Sequence, residues 1–125
     1  MKLRIEMINH EIINVGLEMA MEFGSNYGKP INERLKKKYA DLKEDEINGY
    51  NSLCQAAMSR GHQYIYNSLE ALFDKCETIT EAELKNQLAE NMQDGFSWIS
   101  ESNLSRLFSQ SCYYAWKDGL DKAIM

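Results

Sequence analysis

The chain holds one proline, two histidines and three cysteines in 125 residues, and each scarcity excludes something. A single proline, with seven glycines placed mostly between periodic stretches, leaves long segments free of helix breakers. The cysteines, Cys54, Cys76 and Cys112, are odd in number and show no CxxC spacing. That usage speaks against a disulfide framework and for reduced thiols, with the cytoplasm as the expected address. No uncharged apolar stretch approaches the roughly 20 residues a bilayer span needs, so no membrane partner is expected. The opening MKLRIEMINHEII carries charge throughout and lacks a small-residue cleavage site, which speaks against a secretory signal. Basic residues are outnumbered 14 to 19, and a net charge of −5 works against binding a polyanion, so no nucleic acid is expected.

What is present fits one folded domain. With 44% hydrophobic and 26% charged residues the composition is globular, and 125 residues bury a core without disulfides or metals. The expected fold is all-α, a single domain over 1–125 built as a bundle of four main helices with a short helix after the first loop. Ile5, Ile8, Ile12, Val15, Met19 and Phe23 mark a first helix over 3–23, with Gly24 just past its end. Leu3, Met7, Leu17 and Met21 form a second apolar set on its far side. GSNYGKP is turn chemistry, and Pro30 opens a short helix over 30–40 with Ile31, Leu35 and Tyr39 on one side.

From about 44 to 76, Ile47, Cys54, Met58, Gly61, Ile65, Leu69, Leu72 and Cys76 share one stripe and make this helix the spine of the fold. TITEAEL supplies a capped start at Thr80 for a helix from 81 to about 92, with Glu83 three residues on. DGFSWISES is a break in which Phe96, Trp98 and Ile99 turn inward. A last helix from about 103 to 118 carries Leu104, Leu107, Phe108, Ser111 and Ala115 toward the core and ends at Gly119.

Chemistry is thin. The spine's AAMSRGHQYIY sets Gly61 on the apolar stripe, where a missing side chain lets a neighbouring helix come close. His62 falls beside the stripe with Tyr66 one turn on, and a half-buried structural role with a phenol or amide partner is the expected reading. Asn51 is the one polar residue on that stripe and needs a hydrogen-bond partner, either to fix register between helices or to floor a polar pocket. The alternative it leaves open is a small-molecule site, for binding alone or for catalysis, around His62, Tyr66, Gln55 and Asn51.

No Glu-x-x-His pair, HExxH, GxSxG, GxxxxGK or GxGxxG occurs, so no metal, cofactor or catalytic residue is assigned. Cys54 and Cys76 fall on the apolar stripe and are expected to be inert, with Cys112 the least buried of the three. TEAEL to SRLFSQ has the outline of a helix-turn-helix. Its ten-residue connection NMQDGFSWIS and single basic residue, Arg106, speak against one. The run RLKKK at 34–38 reads as a solvated helix face. Exclusion therefore leaves a non-catalytic interaction module, expected to dimerise through the first helix or to bind a protein partner.

Overall fold

The computed structural model describes residues 8–22 and 24–125. Leu3, Ile5, Met7 and Phe23, which the sequence reading placed in the first helix, lie outside them. The fold is all-α. Its helices are α1 (His10–Ala20), α2 (Asn32–Lys38), α3 (Glu44–Asp74), α4 (Glu81–Phe96) and α5 (Glu101–Lys117), followed by one 3-10 turn over Leu120–Ala123. No strand occurs among the described residues, and the one β-type pairing is an isolated parallel bridge between Ile79 and Ile124. The chain divides into two compact units with their boundary inside α3, Met1–Met58 and Ser59–Met125.

In the first unit, Asn9 caps α1 by accepting from the Ile12 N–H, and its own N–H donates to the Tyr50 hydroxyl at 3.1 Å. The buried positions of α1 are Ile13, Gly16, Leu17 and Ala20, with Met21 just beyond its end. Of the two apolar sets on the first helix, the second is the more deeply buried where it is described. Leu17 is fully buried and Met21 only 2% exposed, whereas Ile12, Val15 and Met19 are half-buried. The inner side is the one carrying small residues, because they allow close approach. A Cβ on Gly16 would stand 3.0 Å from Cys54 Sγ and 3.1 Å from Ile31 Cδ1, and the Cys54 thiol donates to the Ile13 carbonyl at 3.4 Å.

Arg34 ties α2 to the end of α1. Its guanidinium donates to the Met19 carbonyl at 2.8 Å and to the Glu22 carboxylate at 2.6 Å, so a helix C-terminal carbonyl gains a cationic partner. Lys36 donates to the carbonyls of Ala40 and Leu42, both at 2.7 Å, and closes the turn into α3. Only part of the RLKKK run is therefore a free solvated face. Asn51 accepts from the Ile31 N–H at 3.1 Å and so fixes the start of α2 on α3.

In the second unit, Thr80 and Ser100 cap α4 and α5 by accepting from the N–H groups of Glu83 and Asn103. Regular helix in α4 stops before Asp94, since Asp94 and Gly95 are non-helical and Gly95 sits at φ +92°. Trp98 then turns inward, and Phe96 and Ile99 are half-buried. Ile65, Leu69, Leu84, Leu88, Met92, Leu107, Phe108 and Ala115 form the apolar interior. α3 meets α5 where Gly61 faces Leu107: a Cβ there would fall 2.6 Å from Leu107 Cδ2. The chain end pairs with the α3–α4 link, as the Ile79 N–H donates to the Ala123 carbonyl and the Met125 N–H to the Ile79 carbonyl.

Candidate functional site

α5 buries Asn103, Leu107, Phe108, Gln110, Ser111 and Ala115. The opposite side of the same helix repeats at three- and four-residue spacing and carries Ser102, Arg106, Ser109, Tyr113, Trp116 and Lys117, all exposed. Tyr113 and Trp116 stack there with ring centroids 6.0 Å apart and an interplanar angle of 29°. The Lys117 ammonium lies 5.6 Å from the Tyr113 ring and 5.8 Å from the Tyr114 ring, within cation–π reach of both. Sequence reasoning missed this strip. Its signal was legible in CYYAWK, where Tyr113, Trp116 and Lys117 fall away from the Leu107, Ser111 and Ala115 stripe.

On the flank toward α3, His62 Nε2 meets Gln110 Oε1 at 2.7 Å, and its ring lies 5.0 Å from that of Tyr114 at 54°. With an amide oxygen as partner, Nε2 carries the proton of the neutral ring. Burial pushes the His62 pKa below its ordinary 6.5, with the Gln110 bond acting in the opposite direction. Tyr66 donates to the Asp118 carboxylate at 2.6 Å, and that bond raises the phenol above its ordinary 10. Gln55 donates to the Lys29 carbonyl and to Asn51 Oδ1, both at 3.4 Å. Of the four residues held for a small-molecule site, the structure thus joins Asn51 to Gln55 and binds His62 and Tyr66 each to α5.

A groove of about 450 Å³ between α4 and α5 is lined by Lys85, Asn86, Ala89, Glu101 and Ser105 among others, and the Lys85 ammonium in it donates to the Ser105 hydroxyl at 2.6 Å. Among the described residues no three His, Cys, Asp or Glu side chains are grouped to hold a metal ion, and no helix is long and apolar enough to cross a membrane. No family model, curated protein or solved structure matches this chain.

Two of the expectations for the thiols are overturned. α3 ends at Asp74, and Cys76 lies beyond it at φ +57°, exposed rather than on the buried stripe. Cys54 is buried and Cys112 half-buried, so Cys76 and not Cys112 is the least buried of the three. Burial pushes Cys54 up to about 12, and burial with the nearby Glu81 charge pushes Cys112 up to about 11. Both are therefore held as unreactive thiols near neutral pH. Ellman's reagent on the native protein should therefore show a single fast-reacting thiol, removed by Cys76→Ser. A fast phase surviving that substitution contradicts the assignment.

The lowered His62 pKa also sets a pH dependence. Below pH 6.5 the unfolded chain takes up a proton that the folded ring resists, so stability falls as pH drops from 6.5 toward the folded value. His62→Gln should flatten the melting-temperature profile between pH 7 and pH 5. A profile as steep as that of the wild type assigns the pH dependence to other groups.

Proposed function

We propose that this chain is a non-catalytic protein-interaction module whose partner docks on the outer face of α5. The observation that carries the reading is the exposed aromatic pair, Trp116 at 57% and Tyr113 at 45% of full exposure. Tryptophan and tyrosine are large apolar surfaces, and with arginine they are the residues most enriched where interfaces gain their affinity. Their mutual stacking fixes two rings in place before a partner arrives, which lowers the ordering cost of binding. A dimer through Leu17 and Met21 is not part of the proposal, because the chain's own fold buries both.

Photo-crosslinking in cells tests it. A benzophenone amino acid at position 113 should give a discrete adduct that disappears with Trp116→Ala, while the same probe at exposed Gln63 on α3 gives none. Trp116→Ala should leave the melting temperature within about 2–4 °C of wild type, the range of a small surface change. A cooperative fold lost on Trp116→Ala, or equal crosslinking at both positions, rules the docking face out.

A further inference from the structure

We infer that the partner segment meeting α5 is an acidic peptide that carries apolar anchors, an inference that rests on the outer face of α5 being a protein-docking surface. The chain as a whole is acidic, with a net charge of −5. The exposed strip from Ser102 to Lys117 reverses that sign. Its only charged side chains are Arg106 and Lys117, with Ser109, Tyr113 and Trp116 between them. The two cations are eleven residues apart on one helix, about 16 Å at 1.5 Å per residue, with the aromatic pair toward the Lys117 end.

Carboxylates stand on either flank. Asp118 and Glu70 gather around Tyr66 on the side toward α3. Glu81 acts on Cys112 on the other side. On the Glu81 side the Lys85 ammonium is held by the Ser105 hydroxyl at 2.6 Å, so the exposed cations a partner's acidic groups meet on this helix are those of the strip, Arg106 and Lys117. Lys117 already lies over two aromatic rings, which holds its ammonium at the edge of the apolar surface. A carboxylate can meet it there while a neighbouring apolar side chain covers Trp116. The arrangement therefore asks for two features of one segment: apolar anchors for the rings, and acidic residues spaced to meet both cations.

The test is selection of binders from an array of random 12-residue peptides with the full chain as bait and the Trp116→Ala, Tyr113→Ala variant as counter-bait. Acidic sequences with aromatic or aliphatic residues should be enriched on the wild type. Arg106→Glu with Lys117→Glu should weaken those peptides by about tenfold or more and shift the selection toward basic sequences. Binding of the acidic peptides should weaken as salt rises.

Peptides that depend on Trp116 but carry no acidic bias overturn this inference and leave the docking reading standing. No enrichment over the counter-bait overturns both. Trp116-dependent binding of a fluorescent 12-nucleotide oligouridine, unmatched by any acidic peptide, overturns both by assigning the strip to stacked single-stranded nucleic acid.

Discussion

Gly61→Ala is expected to lower the stability of this protein, although at an ordinary exposed helix position the same change gains about 1 kcal/mol. The reason is the space available. A Cβ at residue 61 would lie 2.6 Å from Leu107 Cδ2, 2.7 Å from its Cγ and 2.9 Å from its Cδ1, well inside the roughly 3.5–4.0 Å of a favourable carbon contact. Leu107 is fully buried and has no solvent to retreat into. The crossing must widen or the leucine must leave its rotamer, and overpacking of this kind costs about 1–3 kcal/mol, more for Gly61→Leu.

A thermal melt followed by circular dichroism reads the effect at about 4 °C per kcal/mol for a chain of this size. The pair should also be coupled. Leu107→Ala alone is expected to cost about 2–5 kcal/mol for the cavity it opens. Added to Gly61→Ala it should cost less than the sum, because the new methyl group enters the vacated space. A melting temperature that rises on Gly61→Ala, or costs that simply add, shows that the two helices are not in contact at this point.

The second large effect is expected from Leu17→Glu with Met21→Glu. The first-helix pattern leaves two outcomes for these residues: a side that meets its own copy, where the double substitution would leave a folded monomer, or a side that is core. Both residues are in fact buried, so two carboxylates would be driven into an apolar interior beside Ile13, Gly16 and Ala20. Each must stay protonated or expose itself by opening the fold, a penalty of several kcal/mol per group that is comparable to the whole stability of a domain. The variant should lose its cooperative melt and become sensitive to protease through residues 10–58. Ile12→Glu, at a half-buried position, should remain folded. A folded, protease-resistant double variant returns Leu17 and Met21 to the surface.

The two histidine-flanking features of the spine were legible to different degrees. Gly61 stands on a stripe of large apolar residues, so its small size on a buried line already implied a close helix approach. His62 fell beside that stripe, and a half-buried ring with an amide neighbour follows from the position, but nothing local says that the amide belongs to Gln110. The misplaced elements share a cause. On the first helix the large residues Ile12, Val15 and Met19 make the clearer stripe, whereas the packing follows Gly16 and Ala20, whose value lies in what they allow to approach. At the end of α3 the periodicity runs on to Cys76, but the helix stops at Asp74 and the chain turns through a left-handed residue. The aromatic strip was written in CYYAWK and passed over, since aromatic residues at helical spacing are more often core than surface.

The sequence by itself determined the helices. One proline, the capping residue at Thr80, and apolar positions at three- and four-residue spacing set the class and most boundaries, because these are local effects of backbone hydrogen bonding and side-chain period. It also determined that Gly61 faces a neighbour. Only the tertiary structure decided which side of α1 is inside, where Asn51 and His62 find their partners, and that Tyr113 and Trp116 remain uncovered. Each of these depends on residues tens of positions away in the chain: Ile13 with Cys54, Ile31 with Asn51, His62 with Gln110. Local periodicity fixes how a helix divides its faces, but which face is covered is settled by what packs against it.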